Sequence, residues 1–182
     1  MVTTNASFQH SPRAIRSFLA VQNVEYKSEL RDPQLGKMIL SRSGARFITF
    51  MKQRDTYYRI AEGRLKKRES SDEPTEFVFY HRADRVRPKL SHFQIYGEEE
   101  AAAKFGPQPL PVWMVIEKER EVWMHDGVHI HVDKVEGLGS FIELQALVTP
   151  WQHIGKCQES IAQLRAKLAP ALGEAIATGY CD

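Results

Sequence analysis

In two stretches, Val128 to Asp133 and Gly137 to Gln145, the chain alternates polar and apolar residues with a period of two, which is the signature of β-strands with two unlike faces. His129, His131 and Asp133 share one face opposite Val128, Ile130 and Val132, and after Gly137 the residues Phe141, Glu143 and Gln145 oppose Ile142 and Leu144. Upstream the device recurs with the opposite sign: Lys66 pairs with Arg68 on one face, Arg82 follows, and Lys118 pairs with Arg120. Several strands carrying cations and a few carrying carboxylates suggest a polar cavity suited to a metal-bound polyanion.

Only local concentration of charge can build such a cavity, because the whole chain carries a formal net charge of just +2. That balance gives no support to a nucleic-acid-binding surface. The 182 residues, 42% of them hydrophobic, are enough for one domain with an ordinary core. Cys157 and Cys181 show neither metal-ligand spacing nor a disulfide framework, which favours a reducing compartment and a cytoplasmic location. No apolar run approaches a membrane span. The stretch before the first strand, residues 1–21, reads as an N-terminal extension with freedom to flex. It lacks acidic residues and holds Arg13 and Arg16, too few arginines to argue for a transit peptide. Residues 22–182 read as the single domain.

Many strands and few helices are expected. A strand over Gln22 to Leu30 ends at Asp32-Pro33, a cap followed by proline at the first helical position, and a helix then runs to about Arg42 before Gly44. Strands are expected near Phe47 to Gln53, Thr56 to Ala61, Arg64 to Glu69, Phe77 to Arg82 and Ser91 to Tyr96. Glu98 to Phe105 reads as a short helix, and Pro107, Pro109 and Pro111 interrupt the chain before strands at Val112 to Arg120, Glu121 to Met124 and His129 to Lys134. Thr149-Pro150 reads as the start of a last helix, with Ile154, Cys157, Ile161, Leu164 and Leu168 on its core side.

Charged strand faces have two outcomes. An open sheet would leave each lysine and arginine solvated, the ordinary fate of an isolated Lys-x-Arg pair. A closed antiparallel barrel turns the polar faces inward and packs the apolar faces against helices outside, an α+β architecture. Side chains two apart on a strand lie roughly 7 Å from each other, so Lys66 and Arg68 could straddle neighbouring phosphates.

The residues also carry a family resemblance. Asn23-Val24-Glu25-Tyr26-Lys27 resembles the N-terminal Glu-x-Glu-x-Lys signature of the CYTH superfamily, the triphosphate tunnel metalloenzymes, with its first Glu replaced. Further matches are Gly63 to Glu69, Phe79 to Asp84 with Pro88-Lys89-Leu90-Ser91, Ile130 to Leu144, and the closing Gly179 to Asp182. Tyr80-x-Arg82 and Pro88-Lys89 are most similar to the class IV adenylyl cyclase branch. The resemblance implies a tunnel that binds a triphosphate through Lys27, Lys66, Arg68, Arg82, Lys118 and Arg120, with Lys27 and Arg120 as catalytic residues. It also implies Mg²⁺ or Mn²⁺ held by Glu25, Asp133 and Glu143, since hard cations favour carboxylate oxygen. The substrate would be ATP, inorganic triphosphate or a similar small molecule, with neither nucleic acid nor membrane as partner; a homodimer is compatible with the chain.

Three departures weigh on that implication. Asn23 and Gln145 replace glutamates, leaving weaker amide donors to the metal, and His129 stands where an arginine is usual. His129 either meets phosphate when protonated or is satisfied within the barrel wall. The remaining histidines do not fall at zinc-ligand spacings. Ser91 and Ser140 lack a nucleophile elbow, Glu98-Glu99-Glu100 suits a helix start, and Trp113, Trp123 and Trp151 read as barrel exterior. Two functions follow: a metal-dependent enzyme that cyclises ATP or hydrolyses a triphosphate, or a polyphosphate-binding module weakened by its missing carboxylates. A purely structural domain would require the cation rows to face bulk water.

Overall fold

A computed structural model describes residues 21–71 and 73–180. In chain order the elements are β1 (Val21–Leu30), α1 (Pro33–Arg42), β2 (Arg46–Tyr58), β3 (Arg64–Ser70), β4 (Glu73–Arg82), β5 (Lys89–Tyr96), α2 (Glu98–Phe105), β6 (Val112–His125), β7 (Val128–Val135), β8 (Gly139–Leu147), α3 (Ile154–Leu168) and β9 (Leu172–Ala175). A single 3₁₀ turn, Ala169–Ala171, joins α3 to β9.

Every neighbouring pair of strands is antiparallel, in the order β5-β4-β3-β2-β6-β7-β8-β1, and β1 then pairs back onto β5. Eight strands therefore close a ring, the expected barrel. The closure uses only the first half of one β1 edge, Val21 to Glu25 against Phe93 to Lys89. The rest of that edge, at Ser28 and Leu30, takes β9, which lies outside the ring of eight.

Alternation sorts each strand into an inner and an outer face. The outward residues of β1, β7 and β8, among them Val24, Tyr26, Ile130, Ile142 and Leu144, pack against Leu40 of α1 and Cys157, Ile161, Leu164 and Leu168 of α3. Fully burying each such aliphatic side chain contributes roughly 1.5–3 kcal/mol, so this layer supplies the main apolar drive. A second outer cluster, Tyr58, Leu65 and Phe77, lies beneath Ala101 and Phe105 of α2. Among the described residues no helix is long and apolar enough to cross a membrane.

Local chemistry explains the boundaries. Asp32 caps α1 by accepting from Leu35 N at 2.9 Å, Pro33 opens the helix, and Gly44 at φ +85° ends it. Four expectations need correction. β2 runs unbroken through Arg54 and Asp55, and β6 unbroken through Arg120 and Glu121, because the polar residues there alternate faces and pair with each other from Arg46↔Met124 to Tyr58↔Val112. The strand expected from Gly137 begins at Gly139, since Gly137 at φ +72° belongs to the turn after β7. Helix α3 is capped by His153, whose Nδ1 accepts from Lys156 N at 3.3 Å, whereas Thr149 forms a two-way backbone bridge with Gln152. The expected N-terminal extension falls outside the described residues except for Val21, as do Cys181 and Asp182.

Candidate active site inside the barrel

The inner faces of the strands carry almost all the buried charge. Glu25, Lys27, Asp55, Lys89, Lys118, Arg120 and Asp133 are all buried, as are the polar Asn23, Gln53 and Ser91. They face the bore because their immediate neighbours on each strand, such as Val24, Tyr26 and Val132, belong to the outer apolar layer. Two clusters organise this interior.

The first centres on Asp55 of β2, whose side chain is wholly inaccessible. Its Oδ1 accepts from Arg68 Nε at 2.7 Å; its Oδ2 accepts from Arg68 Nη2 at 2.8 Å, Lys66 Nζ at 3.1 Å and Lys118 Nζ at 3.3 Å. Strand register makes this convergence, with Asp55 directly opposite Arg68 and Lys66 opposite Tyr57. Burial alone would raise the Asp55 carboxyl, but Arg68, Lys118 and Lys66 hold it well below the usual carboxylate range. Burial, reinforced by repulsion from Arg68, brings Lys66 down to about 7. Burial and Arg120 likewise push Lys118 down.

The second cluster spans β6, β7 and β8. Arg120 meets Asp133 bidentately, with Nε to Oδ1 and Nη2 to Oδ2 both at 2.6 Å, and reaches Glu143 Oε2 at 3.4 Å. His131 Nδ1 lies 3.5 Å from the same Glu143 oxygen, and Lys118 Nζ lies 3.6 Å from Asp133. Lys118 thus links the two clusters. Burial, with Arg120 nearby, lowers His131 to about 4, so its ring is neutral at ordinary pH. Burial opposes the ionisation of Asp133, yet Arg120 and Lys118 hold its carboxyl well below the usual range. Glu143 is also held low: burial works against its charge, and the hydrogen bond to His131 and the Arg120 charge outweigh it.

The chain's last described residues close over this region. Ile176 N donates to Lys27 O at 2.9 Å, and Lys89 Nζ donates to the carbonyl oxygens of Ala177 and, at 3.3 Å, Arg85. Tyr180 then enters the bore, where its hydroxyl donates to Asp133 Oδ2 at 2.7 Å and its ring centroid lies 2.9 Å from Lys27 Nζ. Ile176 and Tyr180 pack with Tyr57, Ile116, Val135 and Phe141, an apolar cluster on the same strand faces as the charged residues. Burial raises the Tyr180 hydroxyl well above its ordinary value, and the neighbouring Asp133 charge adds to that, so the group stays a proton donor.

Most residues expected from sequence meet here. Lys66, Arg68 and Lys118 gather on Asp55; Lys118, Arg120, Asp133 and Glu143 share the second cluster, and Lys27 reaches it through Tyr180. Glu25 faces Gln145 across β8 and Lys89 across β5, while Asn23 faces Ser91. His129 faces Gln145 across the β7–β8 pair, one step beyond His131 and Glu143. Arg82 lies on β4 opposite Ser91, and its side chain falls outside the described residues. Sequence reasoning assigned no site role to Asp55, Lys89 or Tyr180. A continuous β2 would have exposed Asp55, since it shares a face with Gln53 and Tyr57. As a metal site the oxygen donors fit a hard cation in kind, and among the described residues the buried Asn23 Oδ1 meets no hydrogen-bond donor. Asp133 and Glu143 are nonetheless occupied by cations, and among the described residues no three of His, Cys, Asp and Glu form a group that could hold a metal ion.

Comparison with known proteins agrees with the barrel fold. The family model described as CYTH domain matches residues 22–180. A conserved hypothetical protein from Pyrococcus furiosus superposes with a TM-score of 0.68 at 19% identity, covering 87% of this chain and 98% of that one. A candidate adenylate cyclase from Vibrio parahaemolyticus gives 0.68 at 13% identity over 89% and 97% of the two chains. A candidate adenylyl cyclase from Hippeastrum, described as having a dominant triphosphatase activity, gives 0.56 at 11% identity over 86% and 91%. At such identities the likeness shows the shared fold. No curated protein matches the chain in sequence.

Proposed function

The chain belongs to the CYTH domain family, and from that premise we propose that it is a divalent-metal-dependent enzyme acting on a triphosphate-containing small molecule. The reaction is either hydrolysis of the triphosphate or, as in the class IV adenylyl cyclase-like reading, conversion of ATP to cyclic AMP and pyrophosphate. One observation carries the reading: Lys66, Arg68, Lys118 and Arg120, from two distant parts of the chain, converge with Lys27 inside one closed bore.

Arginine's planar fork suits bidentate contact with phosphate oxygens, while lysine acts as a compact point charge. Arg68, Lys66 and Lys118 would grip one part of the phosphate chain, and Arg120 and Lys27 would stabilise charge developing at the reacting phosphorus. Arg82 and His129 complete the proposed phosphate ligands. Glu25, Asp133 and Glu143, supplemented by Asn23 and Gln145, would hold Mg²⁺ or Mn²⁺ once Asp133 and Glu143 give up their contacts with Arg120. When bound, such an ion supplies neutralisation of phosphate charge and a template for in-line displacement.

A second reading, a catalytically weak triphosphate-binding module, is favoured by the engagement of Asp133 and Glu143 with Arg120 and by the neutral amides at Asn23 and Gln145. The experiment is incubation with ATP and with inorganic tripolyphosphate, each with Mg²⁺, with Mn²⁺ and without metal, separating cyclic AMP from orthophosphate. Metal-dependent release of either product supports the enzyme. Tight metal-independent binding with no turnover supports the module, and no binding to either compound defeats both.

A further inference from the structure

We propose that Asp55 is a positioning residue: a buried counter-anion that fixes the aim of Lys66, Arg68 and Lys118 toward a bound phosphate chain. The assignment rests on reading the bore as a triphosphate site, and it concerns a residue to which that reading gives no task.

Asp55 is committed to its three cations. Its Oδ1 accepts from Arg68 Nε, and its Oδ2 is shared by Arg68 Nη2, Lys66 Nζ and Lys118 Nζ, a full set for an oxygen with about two lone pairs. With no solvent access it could neither ligate a metal nor accept a substrate proton without releasing one of these cations. The cations, by contrast, keep donors in reserve. An ammonium has three N–H groups and a guanidinium five, so each retains others after its contact with Asp55. Holding one side of each head group leaves the remaining donors in a fixed array.

The location is set by regular structure. Asp55 lies mid-strand, opposite Arg68 on β3 and Ile116 on β6, in a stretch from Thr49 to Tyr57 whose pairing with β6 has no bulge. Three like charges gathered in a poorly solvated interior would otherwise repel one another apart. The carboxylate therefore converts a repulsive set into an ordered one.

Charge alone predicts the opposite effect, which makes the assignment testable. If only net charge mattered, removing a buried negative group at a pH well below 7, where Lys66 stays protonated, would tighten anion binding. Positioning predicts loosening. Isothermal titration of inorganic tripolyphosphate, without metal and at fixed pH and salt, is compared for the wild-type protein, Asp55→Asn and Asp55→Glu, well below each variant's melting temperature. Asp55→Asn is expected to bind about tenfold more weakly or worse, since displacing a donor array by an ångström is enough for such a loss. Asp55→Glu keeps the charge but advances it by one methylene, and it too should bind severalfold more weakly. It serves alone if the asparagine variant fails to fold. Unchanged or tighter binding in a folded variant, whether or not its melting temperature drops, overturns the assignment. If the wild-type protein binds only with Mg²⁺ or Mn²⁺ present, the three proteins are compared under that condition by the same criterion; absence of wild-type binding both with and without metal would instead overturn the triphosphate reading on which the assignment rests.

Discussion

The two clusters inside the barrel use the same residue types in opposite proportions. Around Asp55 one carboxylate serves three cations, two of them lysines whose charge is opposed by burial. Around Arg120 one guanidinium serves two carboxylates, with a neutral His131 and a protonated Tyr180 completing the set. The first arrangement has surplus positive charge, which an anion would satisfy. The second has carboxylates already committed, so any added cation must displace an arginine contact. Cation rows of similar appearance in sequence thus differ in their readiness for a ligand.

The contrast is tested most severely by removing its central arginine. Arg120→Met leaves Asp133 and Glu143 buried without their main partner, and breaking such a pair costs about 3–5 kcal/mol. Chemical denaturation should show a loss of that size, whereas Lys66→Met, which removes an easily neutralised ammonium, should be far milder. Equal losses would erase the distinction between the clusters.

Restoring acidity to the second region is the next lever. Asn23→Glu combined with Gln145→Glu should raise metal-dependent turnover of tripolyphosphate by about tenfold, because a unit charge near a divalent ion at intermediate dielectric is worth more than 1 kcal/mol. Unchanged turnover in a folded double variant contradicts the view that missing carboxylates limit the site.

pH separates the clusters through Lys66, at about 7 in the folded chain against 10.5 for a solvated lysine. The folded form binds fewer protons than the unfolded between those values, so this group's contribution to stability grows as the pH rises from about 7 toward 10.5 and is lost below 7. Phosphate binding needs the charged lysine and should run the other way. Tripolyphosphate affinity is expected to fall as the pH climbs above 7, with proton uptake measurable by calorimetry in buffers of different ionisation enthalpy. Affinity that is flat from pH 6 to 9 would exclude Lys66 from the grip. The smallest effect belongs to Tyr180→Phe, which deletes only the hydroxyl bond to Asp133 and should lower stability by about 1 kcal/mol in a denaturant titration.

The barrel was legible in the sequence because alternation is a backbone property: Val128 to Asp133 and Phe141 to Gln145 declare two faces without reference to any distant residue. What sequence hid depends on register. Arg54-Asp55 resembled an interruption only because a charged residue in mid-strand is ordinarily solvent-facing; its burial depends on cations from β3 and β6 arriving opposite it. Lys66, Arg68, Lys118 and Arg120 do gather in the bore, yet their internal partners could not be paired from spacing alone. Tyr180 was visible as part of a closing motif, but nothing local indicates that a tail residue enters the bore.

Because β9 hangs on a stretch of β1 that the eight-membered ring does not use, the tail can fray while the cylinder keeps all its seams. Exposure of the interior then requires only a sub-global opening, with a free energy well under that of unfolding, and amide exchange at Ile176 should outpace exchange in β7 and β8.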